Sequence, residues 1–293
     1  VHERRGFMIL VGEVGTGKTT LINTLLDEID RSTCTILVTH TTVDREELLR
    51  IILFRLIESH GPRIPAQLGL DSESSTSSKL SGQTRIELIN EFCSFVNGES
   101  MAFRPPPLLI IDEAQNLSPQ VLEEVRLLTN LEGPKSKLLQ VILAGQPELE
   151  QTLLRHELRQ LRQRIAVHAR LEALGLEETI GYIAHRLNQA GCERPDVFCR
   201  AALEAIYEAS KGSPRTINVL CDYALVNAYG AGELQVDEAL ALEAIQDVMR
   251  YRADAPKIEK PKPYLVTHLD GDPVPKTARQ VAANDKKRGG SVE

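Results

Sequence analysis

A chain of 293 residues, 42% apolar and 26% charged, carries enough apolar surface for a sizeable core, and its length suits one large domain or two modest ones. The formal charge of −7 excludes a global basic field that would draw it onto nucleic acid or an anionic membrane, and 4% aromatic content without Trp argues against an aromatic stacking platform. No apolar run approaches the roughly 18 residues of a bilayer span, and the N-terminus does not have the pattern of a signal peptide. The five cysteines (Cys34, Cys93, Cys192, Cys199 and Cys221) include no C-x-x-C pair, which favours reduced thiols over a metal site or disulfide framework. A cytoplasmic protein is expected.

In chain order, Phe7–Val11 reads as a buried strand, and Gly12 to Gly17 as a glycine-rich turn. A helix is predicted over Lys18–Ile29, with Leu21, Ile22, Leu25, Leu26 and Ile29 on one face. Thr35–Thr39 is a second strand, and Asp44 caps a helix running to about Glu58, with Glu46 and Glu47 well placed in its first turn. Residues 61–82, rich in Pro, Gly and Ser, read as a loop, followed by a helix over Gln83–Val96. Leu108–Ile111 is a fully apolar strand. Ser118 and Pro119 then open another helix as N-cap and first residue, with Val121, Leu122, Val125 and Leu128 on its apolar face. Leu138–Ala144 and Ile165–Ala169 supply the fourth and fifth strands. Strands alternating with helices imply a parallel sheet covered on both faces. From about Leu171 only helices are predicted, near 176–189, 196–210, 213–229 and 236–250, and residues 252–293 read as a disordered tail.

The run Gly12, Glu13, Val14, Gly15, Thr16, Gly17, Lys18, Thr19 matches G-x-x-x-x-G-K-[ST]. Glycines let backbone N–H groups turn inward around phosphates, and the following helix N-terminus adds partial positive charge. Lys18 is expected to reach the β- and γ-phosphates, and the Thr19 hydroxyl to ligate Mg²⁺. Glu13 and the next residue, Thr20, belong to this nucleotide-binding stretch as structural members. Asp112, at the carboxyl end of the Leu108–Ile111 strand, is placed to hold the Mg²⁺ shell, and Glu113 is the natural general base for an attacking water.

These runs, with Ile110–Leu117, Ala144–Leu149, Leu158–Ile165 and Gly212–Asn218, resemble the ExeA/GspA group of AAA+ ATPases over about residues 4–250. The resemblance implies a P-loop NTPase fold: a parallel five-stranded sheet between helices (residues 1–170), a small all-α lid (171–251), then the tail (252–293). It implies that Gln146 is sensor 1. It also makes Arg164 the arginine finger reaching a neighbour's nucleotide, with Arg162 as rival and Arg155 and Arg159 on the same segment, and Arg215 of Gly-x-Pro-Arg sensor 2. Family members carry a stretch before the first strand that supplies part of the adenine contact, whereas Val1 falls almost on that strand. Larger members continue into a membrane span and a peptidoglycan-binding domain, and residues 252–293 resemble neither.

The function implied is ATP hydrolysis by a ring or transient homo-oligomer. It would remodel or assemble a secretion or envelope complex, in the cytoplasm or peripherally at the inner membrane. A second reading is an ATP-dependent, DNA-associated regulator of the TniB/TnsC transposition type, whose ATPase module is similar. Residues 252–293 carry nine Lys/Arg against six Asp/Glu, so the preceding 251 residues carry −10 of formal charge against the chain's −7. That balance favours a protein partner over DNA.

Overall fold

The computed structural model describes residues 6–30, 32–60, 82–97, 105–130, 139–194, 196–253, 266–267 and 273–274. Contacts divide the chain into two units, Val1–Ile245 and Gln246–Glu293. In the first, β1 (Phe7–Gly12), β2 (Thr35–Val38), β3 (Leu108–Ile111), β4 (Gln140–Gly145) and β5 (Ile165–Leu171) form one sheet in the order β2-β3-β4-β1-β5, every pair parallel. The chain leaves β1 for the far edge, steps back through β3 to β4 beside β1, then crosses to the other side. The order thus reverses around β1, and in open parallel sheets the crevice at the strands' carboxyl ends beside such a reversal is where ligands bind. Register brings Ile111 level with Leu143 and Val11 level with Gly145. Gly12, Asp112 and Gln146 therefore emerge along one edge.

Strand side chains alternate between faces, and the two faces are covered unequally. Phe7, Ile9, Val11, Ile36, Val38, Leu109, Ile111, Val141 and Leu143 share a continuous core with α2 (Arg45–His60), α3 (Arg85–Asn97), α4 (Pro119–Thr129) and α5 (Pro147–Leu153). Truncating one such buried leucine to alanine costs about 2–5 kcal/mol. Met8, Leu10, Leu108, Ile110, Ile142 and Ala144 pack on the opposite side against Ile22 of α1 (Lys18–Glu28). Among the described residues α1 is the main cover there, so its Leu25, Leu26 and Ile29 are only partly buried and Leu21 is 45% exposed.

Helix starts follow local chemistry. Asp44 Oδ1 accepts from the N–H groups of Glu46 and Glu47, and Glu47 Oε2 accepts from Asp44 N, a reciprocal cap on α2. Ser118 Oγ accepts from Val121 N ahead of Pro119. Two 3₁₀ turns (Ala114–Asn116 and His156–Leu158), α5 and the single turn α6 (Arg159–Arg162) were not expected from the sequence.

Beyond β5 the structure is helical: α7 (Leu176–Gln189), α8 (Arg200–Ser210), α9 (Pro214–Ala231) and α10 (Glu238–Ala253). Helix α8 begins four residues later than periodicity suggests. Phe198 forms a bridge with Val236, and Cys199 serves as N-cap, its Sγ accepting from Ala202 N. The expected loop at 61–82 and the expected tail at 252–293 lie almost wholly outside the described residues. Within the second unit, β6 (Val266–Thr267) pairs antiparallel with β7 (Pro273–Val274).

Candidate functional site

The site grows from the junction of β1 and α1. Gly15 and Gly17 have φ of +83° and +98°, left-handed values that cost an L side chain about 1–2 kcal/mol. Gly15 is also crowded, since a Cβ there would lie 2.7 Å from Cβ of Arg215. With Gly17 as N-cap, no side chain satisfies the first N–H groups of α1, leaving them for an anion. Lys18 is 6% exposed, and its Nζ donates to the carbonyls of Gly12 (2.7 Å) and Glu13 (2.9 Å). Those two acceptors offset the cost of burying the ammonium. Val14, Thr19 and Thr20 are exposed, and Thr16 Oγ1 donates back to the Glu13 carbonyl.

Asp112 meets this turn directly. It is 5% exposed, its Oδ2 accepts from Thr19 Oγ1 at 2.9 Å, and its Oδ1 accepts from Glu113 N at 2.9 Å. Glu113 has φ of +54°, a left-handed conformation in a residue with a full side chain. Such strain costs of order 1–3 kcal/mol and persists only where neighbours hold it. Here Thr41 Oγ1 and Asn116 N both donate to the Glu113 carbonyl, and Asn116 Nδ2 donates to Thr41 Oγ1.

The Glu113 carboxylate is held as well. Its Oε2 accepts from Nε2 of Gln115 and, at 3.2 Å, from Nε2 of Gln146. The Gln115 bond lowers the Glu113 pKa most, and the Gln146 bond and the Lys18 charge add to it against the opposing effect of burial. Gln146 stands at the end of β4, between the P-loop strand and β3.

The remaining expected residues differ in placement. Arg215 opens α9 over the phosphate turn, its N–H donating to the Gly15 carbonyl at 3.2 Å and its side chain exposed. Arg164, immediately before β5, is exposed, and no polar partner holds its side chain among the described residues. Its rival Arg162 donates to the Leu154 carbonyl at 3.4 Å, and Arg155 lies 4.0 Å from Glu157. Lys18, Thr19, Asp112, Glu113, Gln146 and Arg215 thus converge, while Arg164 faces solvent. Thr41, Gln115 and Asn116 were not expected at the site. Gln115 and Asn116 stand in the run around Asp112 and Glu113, but nothing in a sequence tells which way an amide points.

The match to known families agrees with this geometry. Residues 1–153 match the AAA domain family model. The chain is 36% identical over 231 residues, 79% of its length, to general secretion pathway protein A of Aeromonas hydrophila. It is an AAA+ ATPase of the ExeA/GspA group. It spans 38% of that relative's length. Among solved structures it resembles the ORC2 protein of Aeropyrum pernix, in its ADPNP-ADP complexes (TM-score 0.58, 17% identity, 84% of this chain and 64% of that one). It also resembles the RuvB Holliday junction branch migration motor of Thermotoga maritima (TM-score 0.53, 16% identity, 83% and 61%). At those identities the likeness is one of fold. Membership in this group gives the chain a nucleotide-binding AAA+ module. No helix among the described residues is long and apolar enough to cross a membrane.

Proposed function

We propose that this AAA+ protein hydrolyses ATP to ADP and phosphate, with Glu113 as general base, and uses the cycle as a self-associating ATPase to remodel or assemble a secretion or envelope complex near the inner membrane. The observation that carries the hydrolytic part is the meeting of the phosphate turn and the acidic pair through the Thr19–Asp112 hydrogen bond, with Glu113 beside it. The secretion part is supported by the relative from Aeromonas hydrophila.

In this reading Lys18 exchanges its two carbonyl acceptors for phosphate oxygens, and the free N–H groups at the start of α1 take the others. A hydroxyl and a buried carboxylate form an oxygen donor pair that suits Mg²⁺, so Thr19 and Asp112 would hold the ion, which would neutralise phosphate charge when bound. The hydrogen bond from Gln115 lowers the Glu113 pKa, which favours the carboxylate form that accepts a proton from water. Gln146 reaches Glu113 from the end of β4, the strand beside the one that leads into the phosphate turn. Arg215 extends over Gly15 from the helical region that follows residue 171, which acts as a lid. Arg164, exposed and without a polar partner among the described residues, acts on a neighbouring subunit.

The test pairs two variants. Lys18→Ala should abolish binding of a fluorescent ATP analogue. Glu113→Gln should keep that binding and lower steady-state phosphate release by at least about 10²-fold. Wild-type release by Glu113→Gln would remove Glu113 from the role of base.

A further inference from the structure

The geometry points to Gln115 as a positioning residue for hydrolysis, which aims the Glu113 carboxylate by tying it to the backbone at Gln146. This rests on the reading of Glu113 as the base. Gln115 lies in the 3₁₀ turn that follows β3. Its Oε1 accepts from the backbone N–H of Gln146 at 3.1 Å. An N–H can be met only by the oxygen end of an amide, so the orientation of this one is not free. The nitrogen end must face the other way, where Glu113 Oε2 accepts from it. One side chain therefore joins the end of β4 to the reactive carboxylate at the end of β3.

The approach is allowed by Gly145. A Cβ at that position would lie 2.8 Å from Gln115 Oε1 and 3.3 Å from Gln115 N, so any other residue would push the amide out of the bridge. Gln146 completes the arrangement, since its own side chain donates to the same Glu113 Oε2 at 3.2 Å. Both donors fall on Oε2. Oε1 has no partner among the described residues and is the oxygen left to meet a water.

The two glutamines are not equivalent. Gln146 holds Glu113 only through its side chain, so a turn of that side chain toward a phosphate would release Oε2. Gln115 is anchored at its other end on a backbone N–H, so it keeps its grip when Gln146 lets go. Gln115 accordingly fixes the direction of the carboxylate throughout the cycle, and Gln146 is the shared partner.

The test uses the full chain and two variants of Gln115. Gln115→Glu keeps the length and the acceptor for Gln146 N–H but puts a carboxylate where the donor to Glu113 was. Gln115→Met removes both bonds. We expect kcat for phosphate release to fall about tenfold or more in each, with the Kd of a non-hydrolysable ATP analogue within about twofold of wild type. In a Glu113→Gln background, Gln115→Met should change the residual rate by less than about twofold, because the group it aims is gone. If Gln115→Met does not fold, Gln115→Glu decides. Wild-type kcat in Gln115→Glu beside a nearly inactive Glu113→Gln overturns this inference alone. So does a parallel loss of kcat and analogue affinity, or equal slowing in both backgrounds, either of which marks a structural role. Wild-type turnover in Glu113→Gln overturns the assignment of the base, and this inference with it.

Discussion

Gly15 and Gly17 have similar left-handed backbones, yet their surroundings differ. A Cβ on Gly15 would meet Cβ of Arg215 at 2.7 Å and Oγ of Ser213 at 3.1 Å, whereas nothing lies within 4 Å of a Cβ on Gly17. Alanine at Gly17 therefore adds only backbone strain, while alanine at Gly15 also pushes the start of α9 off the phosphate turn. Binding of a fluorescent ATP analogue should weaken about tenfold for Gly17→Ala, a cost of roughly 1.4 kcal/mol within the usual range for such strain. Gly15→Ala should weaken it several times further. Equal affinities for the two would mean that the Arg215–Gly15 contact contributes nothing to nucleotide binding. The pattern G-x-x-x-x-G-K-[ST] predicts where these glycines are needed. That one of them lies beneath a residue 200 positions later is decided by packing.

Elements were legible where local chemistry sets their limits. The reciprocal bonds between Asp44 and Glu47 start α2, and Ser118 with Pro119 starts α4, both as expected. Asp44→Ala removes the acceptor of two helix N–H groups and should cost about 1 kcal/mol. The expected reading is a Tm lower by roughly 2–4 °C with analogue affinity unchanged. An unchanged Tm would show that tertiary packing alone sets this end of the helix. The start of α8 was misplaced for a tertiary reason, because Phe198 is drawn into a bridge with Val236, 38 residues away. Helix α5 and the short turns before β5 went unread because segments of three to seven residues are too short to show a helical period.

At the scale of the whole molecule, an exposed Arg164 without a polar partner among the described residues predicts a site shared between copies of the chain. Arg164→Ala should leave analogue affinity nearly intact and lower turnover by roughly 10³-fold, as for other fingers acting in trans. Mixing it with Lys18→Ala should restore part of the activity, since each supplies what the other lacks. No recovery at any mixing ratio would place Arg164 outside the site. The charge of −10 on the first 251 residues predicts weak binding to duplex DNA. Each phosphate neutralised contributes about −0.9 to the slope of log affinity against log salt. The expected slope lies between about zero and −3 and does not change with a non-hydrolysable analogue. A slope steeper than about −5 that appears only with the analogue would point to an ATP-assembled oligomer on DNA.

The sequence alone determined the glycine-rich turn, the acidic pair, the strand–helix alternation and the helical region after residue 171. Each is written in a short window, through glycine spacing, apolar periodicity or a capping side chain. The tertiary structure decided the strand order that sets β4 between β1 and β3, and the unequal cover of the sheet's two faces. It also decided the left-handed turn at Glu113 and the amide bridge from Gln115 to Gln146. These depend on hydrogen bonds and contacts between residues 30 to 75 positions apart, such as Gln115 with Gln146 and Thr41 with Asn116, and no local pattern encodes which of them meet.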